Sequence, residues 1–268
     1  MGGVGLTVEV IKGCFGYSSE AKIFEDLNFK IDRYEILSIL GPNGCGKTTL
    51  LKCILGTFNL TDGMIRINGK DLSELKNVRN GLNVGYVPQN HQTAFPYTVL
   101  EMVLMGRARF IGTFSTPKDE DLVIAKESLQ ILGVSHLEER SFPELSGGEK
   151  QLVLIARALA SKANILIFDE PTSALDYRNQ YAILEVLRKL TREYGFTVIM
   201  TTHHPEHALH VSDKVLLMDN TKNIIFGSVD DTLTDENLQK AYGMNVKVIS
   251  IPCGEDNLKG IFPMIKSL

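Results

Sequence analysis

The sequence has few cysteines, and those it has lie far apart. The chain of 268 residues contains four, and no two of them have the spacing of a metal-binding pair or of a disulfide framework: Cys14, Cys45, Cys53 and Cys253. We therefore expect neither a cysteine-based metal site nor a disulfide-stapled fold. Free thiols are typical of a reducing compartment, so the sequence indicates a cytosolic setting.

Long apolar runs are missing as well. No segment approaches the roughly 20 apolar residues that a membrane-spanning helix needs. The first ten residues, MGGVGLTVEV, lack the basic start and apolar run of a signal peptide, so we expect none. The formal net charge is −4, which gives no indication of nucleic-acid binding. Any association with a membrane is expected to go through a partner or a surface.

Short apolar runs alternate with helical patterns along most of the chain, which predicts an α/β fold. A buried strand is predicted at Ile36–Leu40, and further strands are predicted at Val84–Val87, Ile165–Phe168, Thr197–Thr201 and Val215–Met218. Helices are predicted at Lys47–Leu55, Leu100–Ala108, Leu122–Leu132, Glu149–Ala160 and Asn179–Tyr194. The second, third and fourth of these helices dominate the stretch from about Thr98 to Lys162, which indicates a helical segment inserted into the α/β core.

These patterns suggest a division of the chain into one large domain and a tail. The domain is predicted to cover residues 1–245, with a core of 1–97 and 163–245 and an α-helical subdomain inserted at about 98–162. The tail, residues 246–268, begins with the strand-like Val246–Ile251, and its role is left open.

A glycine-rich loop follows the first predicted buried strand and precedes a helix. It matches G-x-x-x-x-G-K-[ST] in full and is followed by a second threonine: Gly41, Pro42, Asn43, Gly44, Cys45, Gly46, Lys47, Thr48 and Thr49. Glycines let backbone N–H groups curl around phosphate oxygens, and the helix N-terminus adds a favourable dipole. Lys47 would contact the β- and γ-phosphates, and the Thr48 hydroxyl would coordinate Mg²⁺. The loop predicts nucleotide binding.

Two carboxylates follow the strand Ile165–Phe168. Asp169 is placed to hold Mg²⁺ beside a phosphate loop, and Glu170 is placed to polarise an attacking water. An apolar run ending in Asp-Glu is a weak signal alone, and the phosphate loop upstream is what gives it meaning.

At Leu145–Gln151 (LSGGEKQ) the chain resembles the ATP-binding cassette (ABC) family. That resemblance implies a P-loop NTPase core with a mixed sheet, ATP and Mg²⁺ as cofactors, and a head-to-tail dimer. In the dimer, the signature residues Ser146, Gly147 and Gly148 would close over ATP bound to the second copy.

The resemblance extends over roughly residues 7–245 and assigns further roles. Gln89 is similar to the glutamine that senses Mg²⁺ and nucleotide, and Asp176 ends a loop that crosses to the partner. His203 is similar to the switch histidine. Tyr17 is similar to the aromatic residue that stacks on adenine, with Phe15 as the alternative.

The residue after the switch histidine departs from the family pattern. It is a histidine rather than the common aspartate, which produces a cluster of His203, His204, His207 and His210. A metal site there is conceivable because His203 and His207 have i,i+4 spacing. Pro205, however, restricts His204 to extended geometry and separates it from the next helix, so we do not expect one.

The segment Ala94–Arg107 resembles ABC importers of metal chelates, a group that includes some molybdate and tungstate importers. The His-His-Pro run and Gly112–Phe114 are most similar to the molybdate type. Phe95, Pro96 and Tyr97 would then form a groove for a short helix of a membrane permease, although plain core packing is an alternative for each. A substrate-binding protein is implied indirectly, and the cassette itself would be peripheral on the cytoplasmic face of the membrane.

Other functions remain open on sequence grounds. A soluble ABC ATPase of the iron–sulfur cluster assembly type has a compatible length, and an exporter cassette shares every catalytic residue. A non-catalytic regulator is disfavoured because Glu170 and His203 are both present.

Cys45 suggests one further hypothesis. Its position near a helix N-terminus can lower the pKa of a thiol, which would make it reactive towards alkylating agents. The alternative is a buried, inert thiol.

Overall fold

The computed structural model describes residues 8–18, 21–74, 84–89, 95–112, 115–253 and 256–264. The helices are α1 (Lys47–Ile54), α2 (Val99–Leu104), α3 (Asp119–Ile131), α4 (Gly147–Ala160), α5 (Tyr177–Arg192), α6 (Pro205–Val211), α7 (Val229–Thr232) and α8 (Asp235–Tyr242). The strands are β1 (Val8–Gly16), β2 (Lys22–Ile31), β3 (Ile36–Leu40), β4 (Asp62–Ile67), β5 (Lys70–Asp71), β6 (Val84–Val87), β7 (Ile165–Phe168), β8 (Thr197–Thr202), β9 (Lys214–Met218), β10 (Ile224–Ser228), β11 (Val246–Cys253) and β12 (Asp256–Pro263).

The chain forms two compact units. Unit 1 comprises Met1–Lys76 and Ile199–Leu268, and unit 2 comprises Asn77–Val198. Unit 2 is thus an insertion in unit 1, and the chain returns from it within β8. The predicted helical subdomain at 98–162 lies inside unit 2, and its boundaries remain a prediction.

Unit 1 contains an antiparallel sheet of order β2-β1-β4-β5. It also contains β3 paired parallel with β9, and β9 paired antiparallel with β10, so this second sheet is mixed. Every residue of β3 is buried, as expected for its uninterrupted ILSIL run. The loop after β3 therefore starts from a rigid position.

The C-terminal segment belongs to the core of unit 1. Strand β11 pairs antiparallel with β12, and Val246 of β11 faces the core together with Ile261 of β12. They pack in one cluster with Ala208 of α6, Ala241 of α8 and Leu40 at the end of β3. The predicted strand at Val246–Ile251 is confirmed, and it is part of a hairpin.

Unit 2 is mainly helical around a short parallel pair, β6 and β7, aligned from Val84↔Ile165 to Val87↔Phe168. A buried ion pair joins the end of the α2 region to α3, since Arg107 Nε lies 2.9 Å from Asp121 Oδ1. The same guanidinium donates to the carbonyl oxygen of Ala160 at 3.0 Å. Both buried charges are therefore hydrogen-bonded, which a buried ion pair requires.

Candidate active site

The glycine-rich loop of unit 1 has the backbone that the motif requires. Gly41, Gly44 and Gly46 have φ of 154°, 86° and 107°, the positive region that only glycine adopts without strain. A Cβ on Gly41 would collide with the carbonyl oxygen of Met218, and one on Gly46 would collide with Ile23. The backbone of the loop is thus packed closely against Met218 and Ile23. It leads directly into the N-terminus of α1, an arrangement that suits a bound phosphate.

Lys47 opens α1, and its side chain lies across the loop. The residue is 5% exposed, and its Nζ donates to the carbonyl oxygens of Gly41 at 2.8 Å and Pro42 at 3.1 Å. The ammonium group is therefore positioned over the same loop that would cradle phosphate oxygens.

The expectation that the helix N-terminus lowers the pKa of Cys45 is wrong. The residue is buried, and burial raises the pKa of its thiol, an effect that the nearby Lys47 only partly offsets. Loss of solvation outweighs the helix N-terminus, so the thiolate is scarce at neutral pH.

We expect Cys45 to be alkylated at least about 10-fold more slowly than Cys14, which is only partly buried, because thiolate fraction and access both control the reaction. Timed labelling with iodoacetamide at pH 7.5 followed by peptide mapping measures both rates. Labelling of the urea-unfolded protein is the control, where both cysteines should react alike. Equal rates in the folded protein would contradict the buried thiol.

Tyr17, rather than Phe15, presents an aromatic face to solvent. Tyr17 is 63% exposed, whereas Phe15 is buried and stacks on Phe58 with ring centroids 5.4 Å apart. The Tyr17 ring packs edge-on against Phe15 at 5.3 Å, and its hydroxyl lies 3.0 Å from Thr49 Oγ1. This arrangement favours Tyr17 over Phe15 as the adenine-stacking candidate.

In unit 2, strand β7 delivers Asp169 and Glu170 beside Gln89. Asp169 is buried, and its backbone N–H donates to the carbonyl oxygen of Val87 at 3.0 Å. Gln89 Nε2 donates to Glu170 Oε2 at 3.1 Å. Gln89 follows β6 and Glu170 follows β7, and these two strands are parallel neighbours. The pairing explains why residues so distant in the sequence meet.

Glu170 has a strained backbone. Its φ is 47°, in the left-handed region that a residue with a long side chain seldom adopts. The conformation is held by Ser173, whose N–H and hydroxyl donate to the Glu170 carbonyl oxygen at 3.1 and 2.9 Å. Strain of this kind is typical of functional positions, where it fixes the direction of a side chain.

The signature motif forms the start of α4. Ser146 is the N-cap, and its hydroxyl accepts from the N–H of Glu149, while the Glu149 carboxylate accepts from the N–H of Ser146 at 2.8 Å and from its hydroxyl at 2.7 Å. These hydrogen bonds lower the pKa of Glu149. The reciprocal capping explains why the helix begins where it does.

The loop that ends at Asp176 packs against the signature motif. Asp176 is the N-cap of α5, accepting from the N–H of Asn179 at 2.8 Å and from its Nδ2 at 3.0 Å. A Cβ on Gly148 would lie 3.1 Å from the side chain of Asn179, and one on Gly147 would lie 3.3 Å from Leu175. Asn179 therefore contacts both the signature motif and the loop that ends at Asp176. No sequence motif had indicated this contact.

The rings of three histidines after β8 lie against one another in unit 1, each pair tilted rather than stacked. The ring centroids of His203 and His204 are 4.1 Å apart, and those of His204 and His207 are 4.7 Å apart. His204 is the extended N-cap of α6, as predicted from Pro205. His207 is 4% exposed, and burial, reinforced by its histidine neighbours His204, His203 and His210, lowers its pKa to about 4.

His207 gives the folded protein a defined response to acid. Its pKa is about 4 when folded and near 6.5 when unfolded, so the unfolded state takes up its proton first as pH falls. The contribution of His207 to the free energy of unfolding is therefore fully present above pH 6.5. It is lost as pH falls from 6.5 to 4, by about 1.4 kcal/mol per pH unit. We expect His207→Asn to flatten the fall in the free energy of unfolding between pH 7 and pH 5, measured with urea. The same change at the exposed His136 should leave the slope unaltered, and parallel slopes for wild type and His207→Asn would contradict this assignment.

The predicted docking residues line an open surface of unit 2. Phe95 is 64% exposed and Pro96 is exposed, so core packing does not account for either. Tyr97 is half-buried, lies edge-on to Phe95 at 5.9 Å, and borders a groove of about 450 Å³. The other lining residues, largely apolar, come from α2 and the segment after it: Glu101, Leu104, Met105, Ala108, Ile111, Gly112, Ser115 and Pro117. Thr113 and Phe114 of the predicted molybdate-type run lie outside the described residues.

The chain is similar to known proteins over most of its length. Residues 24–173 match the ABC transporter family. The molybdate import ATP-binding protein MolC of Haemophilus influenzae is 38% identical over 254 residues, 95% of this chain and 95% of that protein. The iron(3+)-hydroxamate import ATP-binding protein FhuC of Bacillus subtilis is 32% identical over 237 residues, 88% of each. A solved metal-chelate type ABC transporter in an inward-facing conformation superimposes with a TM-score of 0.88 at 37% identity, covering 97% of this chain and 98% of that chain.

The chain therefore belongs to the ABC transporter family, and its α/β fold with a mixed sheet is that of the P-loop NTPases. ATP-binding proteins of this family are ATPases, so this chain binds ATP and hydrolyses it. Within the part of the chain that the structure describes, no helix is both long and apolar enough to span a bilayer.

Proposed function

We propose that this chain is the ATP-hydrolysing subunit of an importer for a metal chelate or a metal oxyanion, working as a head-to-tail pair beneath a separate membrane permease. The exposed groove beside Phe95 and Tyr97 is the observation that carries the coupling to a permease, because large exposed apolar surfaces mark binding sites. The relatives named for molybdate and iron(3+)-hydroxamate import support the cargo class. The protein would be peripheral on the cytoplasmic face of the membrane, with a substrate-binding protein acting outside.

In this proposal the chain's own groups divide the work. The backbone of Gly41–Gly46 and the ammonium of Lys47 bind the β- and γ-phosphates, and Tyr17 stacks on adenine. Glu170, oriented by Gln89, polarises the water that attacks the γ-phosphate, and His203 hydrogen-bonds that phosphate. Thr48, Gln89 and Asp169 are the candidate ligands for Mg²⁺, which would neutralise charge developing on the phosphates. Oxygen ligands of this kind suit that ion.

The second copy would complete each nucleotide site. Ser146 and Gly147 are exposed at the start of α4, and Gly148 beside them is buried. N–H groups at a helix start favour an anion, and these three residues would face the γ-phosphate held by the partner. Asp176 would lie beside the same interface, in a loop that its own cap holds in shape.

The coupling surface can be tested separately from hydrolysis. Phe95→Glu or Tyr97→Glu should place a charge in the groove and reduce recovery of the membrane subunit in detergent pull-downs by about 10-fold or more, since a buried uncompensated charge costs several kcal/mol. Intrinsic ATPase activity of the isolated cassette should stay within about two-fold of wild type. Tyr194→Glu, an exposed aromatic elsewhere in unit 2, is the matched control.

The outcomes separate the alternatives. Loss of both recovery and intrinsic hydrolysis would show that the aromatic residues are structural. Failure of the wild-type chain to recover any multi-spanning protein would favour the soluble iron–sulfur assembly type. An exporter would be recognised by ATP-dependent movement of its cargo outwards in vesicles.

A further inference from the structure

Tyr242 is the last residue of α8 and lies far from every family motif, yet it contacts the switch-histidine segment. Its hydroxyl donates to the carbonyl oxygen of His203 at 3.1 Å, across 39 residues of sequence. Gly243, with φ of 67°, ends the helix immediately afterwards and turns the chain towards β11. The position of the hydroxyl is therefore fixed by a helix end and by a hairpin.

The tyrosine ring is anchored in the core that the C-terminal hairpin completes. It packs against the cluster that contains Leu238 and Ala241 of α8, Val246 and Ile261 of the hairpin, and Ala208 of α6. Helix α6 begins two residues after His203, so the same core holds the histidine segment from its other side. A side chain placed in this way has little freedom to move relative to the backbone it contacts.

The hydroxyl remains a donor under all physiological conditions. Burial raises the pKa of Tyr242 far above its ordinary value, and the nearby Cys45 and Glu206 act in the same direction. A phenol that stays protonated can donate to a carbonyl oxygen, whereas a phenolate could not.

We propose that Tyr242 is a positioning residue for ATP hydrolysis, fixing the peptide group of His203 and so the direction of its imidazole. This inference rests on the proposed role of His203 at the γ-phosphate. His203 follows directly after β8, and His204 is restrained by its N–H donating to Thr202 Oγ1 at 3.1 Å. The carbonyl of His203 is therefore restrained by the end of β8 before it and by the hydrogen bond of His204 after it. The Tyr242 hydroxyl is the third restraint.

Tyr242→Phe removes only the hydroxyl and keeps the ring in the core. We expect kcat to fall about 5- to 10-fold, the size of effect that loss of one hydrogen bond to a positioned group produces. The dissociation constant for ATP, measured by fluorescence with a labelled analogue, should change less than two-fold, because binding depends on the loop at Gly41–Lys47. Tyr194→Phe removes a surface hydroxyl and is the matched control.

A double-mutant cycle with His203→Ala separates positioning from general damage. Once the imidazole is absent its direction no longer matters, so Tyr242→Phe should cause no further loss of kcat in the His203→Ala background. An equal 5- to 10-fold loss in both backgrounds would overturn the positioning role, as would an unchanged kcat for Tyr242→Phe alone. Normal hydrolysis by His203→Ala would instead overturn the proposed role of His203, and the inference about Tyr242 with it. A loss of activity that saturating ATP restores would also overturn it, since the effect would then be on binding.

Discussion

Lys47→Ala is expected to reduce ATP hydrolysis to background and to weaken ATP binding by about 10-fold or more. The ammonium of Lys47 already lies across the loop, hydrogen-bonded to the carbonyl oxygens of Gly41 and Pro42. In the proposed function this ammonium contacts the β- and γ-phosphates, so its removal would take away both binding energy and stabilisation of charge in the transition state. Phosphate release and binding of a fluorescent ATP analogue measure the two effects.

Lys70→Ala is the matched control, because that lysine is exposed in β5 and lies outside the loop. It should leave both quantities within about two-fold of wild type. A purified, folded Lys47→Ala protein that hydrolyses ATP at close to the wild-type rate would refute the assignment of this loop as the catalytic phosphate site.

Glu170→Gln is expected to lower hydrolysis by roughly 10²- to 10⁴-fold while ATP binding survives, since positioned acid–base groups contribute about that much. The amide has nearly the same shape as the carboxylate but cannot take a proton from water. Unhydrolysed ATP would then stay between Lys47 of one subunit and Ser146 of the other, so a stable dimer should appear on size-exclusion chromatography with ATP.

Adding Ser146→Arg should abolish that dimer by blocking the facing half-site, while the single Ser146→Arg protein should still bind ATP as a monomer. Glu193→Gln, an exposed change at the end of α5, is the control and should neither trap a dimer nor slow hydrolysis. Normal hydrolysis by Glu170→Gln would overturn its role as the base. A Glu170→Gln protein that remains monomeric in saturating ATP would contradict pairing of the isolated cassettes.

Buried strands were the most predictable part of the fold. The predicted strands at Val84–Val87 and Ile165–Phe168 agree with β6 and β7 residue by residue. Ile165–Phe168 is an uninterrupted and fully buried apolar run, which has few alternatives to a strand. The antiparallel sheet of β1, β2 and β4 was not predicted. Exposed polar residues interrupt β2, and Asp26 within it has φ of 47°, so the apolar periodicity is broken.

Helix ends depended on contacts that the sequence does not display. A helix was predicted through Ala108, yet α2 ends at Leu104 and a 3₁₀ turn follows at Met105–Arg107. The backbone of Gly106 lies so close to the carbonyl of Arg157 that a Cβ there would collide with it. Tertiary packing thus decided a boundary that propensity alone placed one turn later.

The candidate site shows the same contrast between local and distant information. The loop at Gly41–Thr48 and the signature at Leu145–Gln151 are local motifs, and a tight loop and a helix start were predicted from them. The helix at the signature begins at Gly147, two residues before the predicted Glu149. The thiol of Cys45 depends on burial by residues far along the chain, and the sequence offered only its helix position. Tyr242 lies outside every motif, and its hydrogen bond to His203 could not be found without the fold.

The side chain of Asn179 has a consequence for cooperativity. It binds Asp176 through its amide and packs against Gly148, so the signature motif and the loop before α5 cannot shift independently. If each subunit of a pair contacts its partner's ATP through Ser146, a movement of the signature motif would reach Asp176 directly through Asn179. The hydrophobic core would not need to rearrange. Two nucleotide sites connected by so short a route are expected to respond to ATP concentration with a Hill coefficient above one.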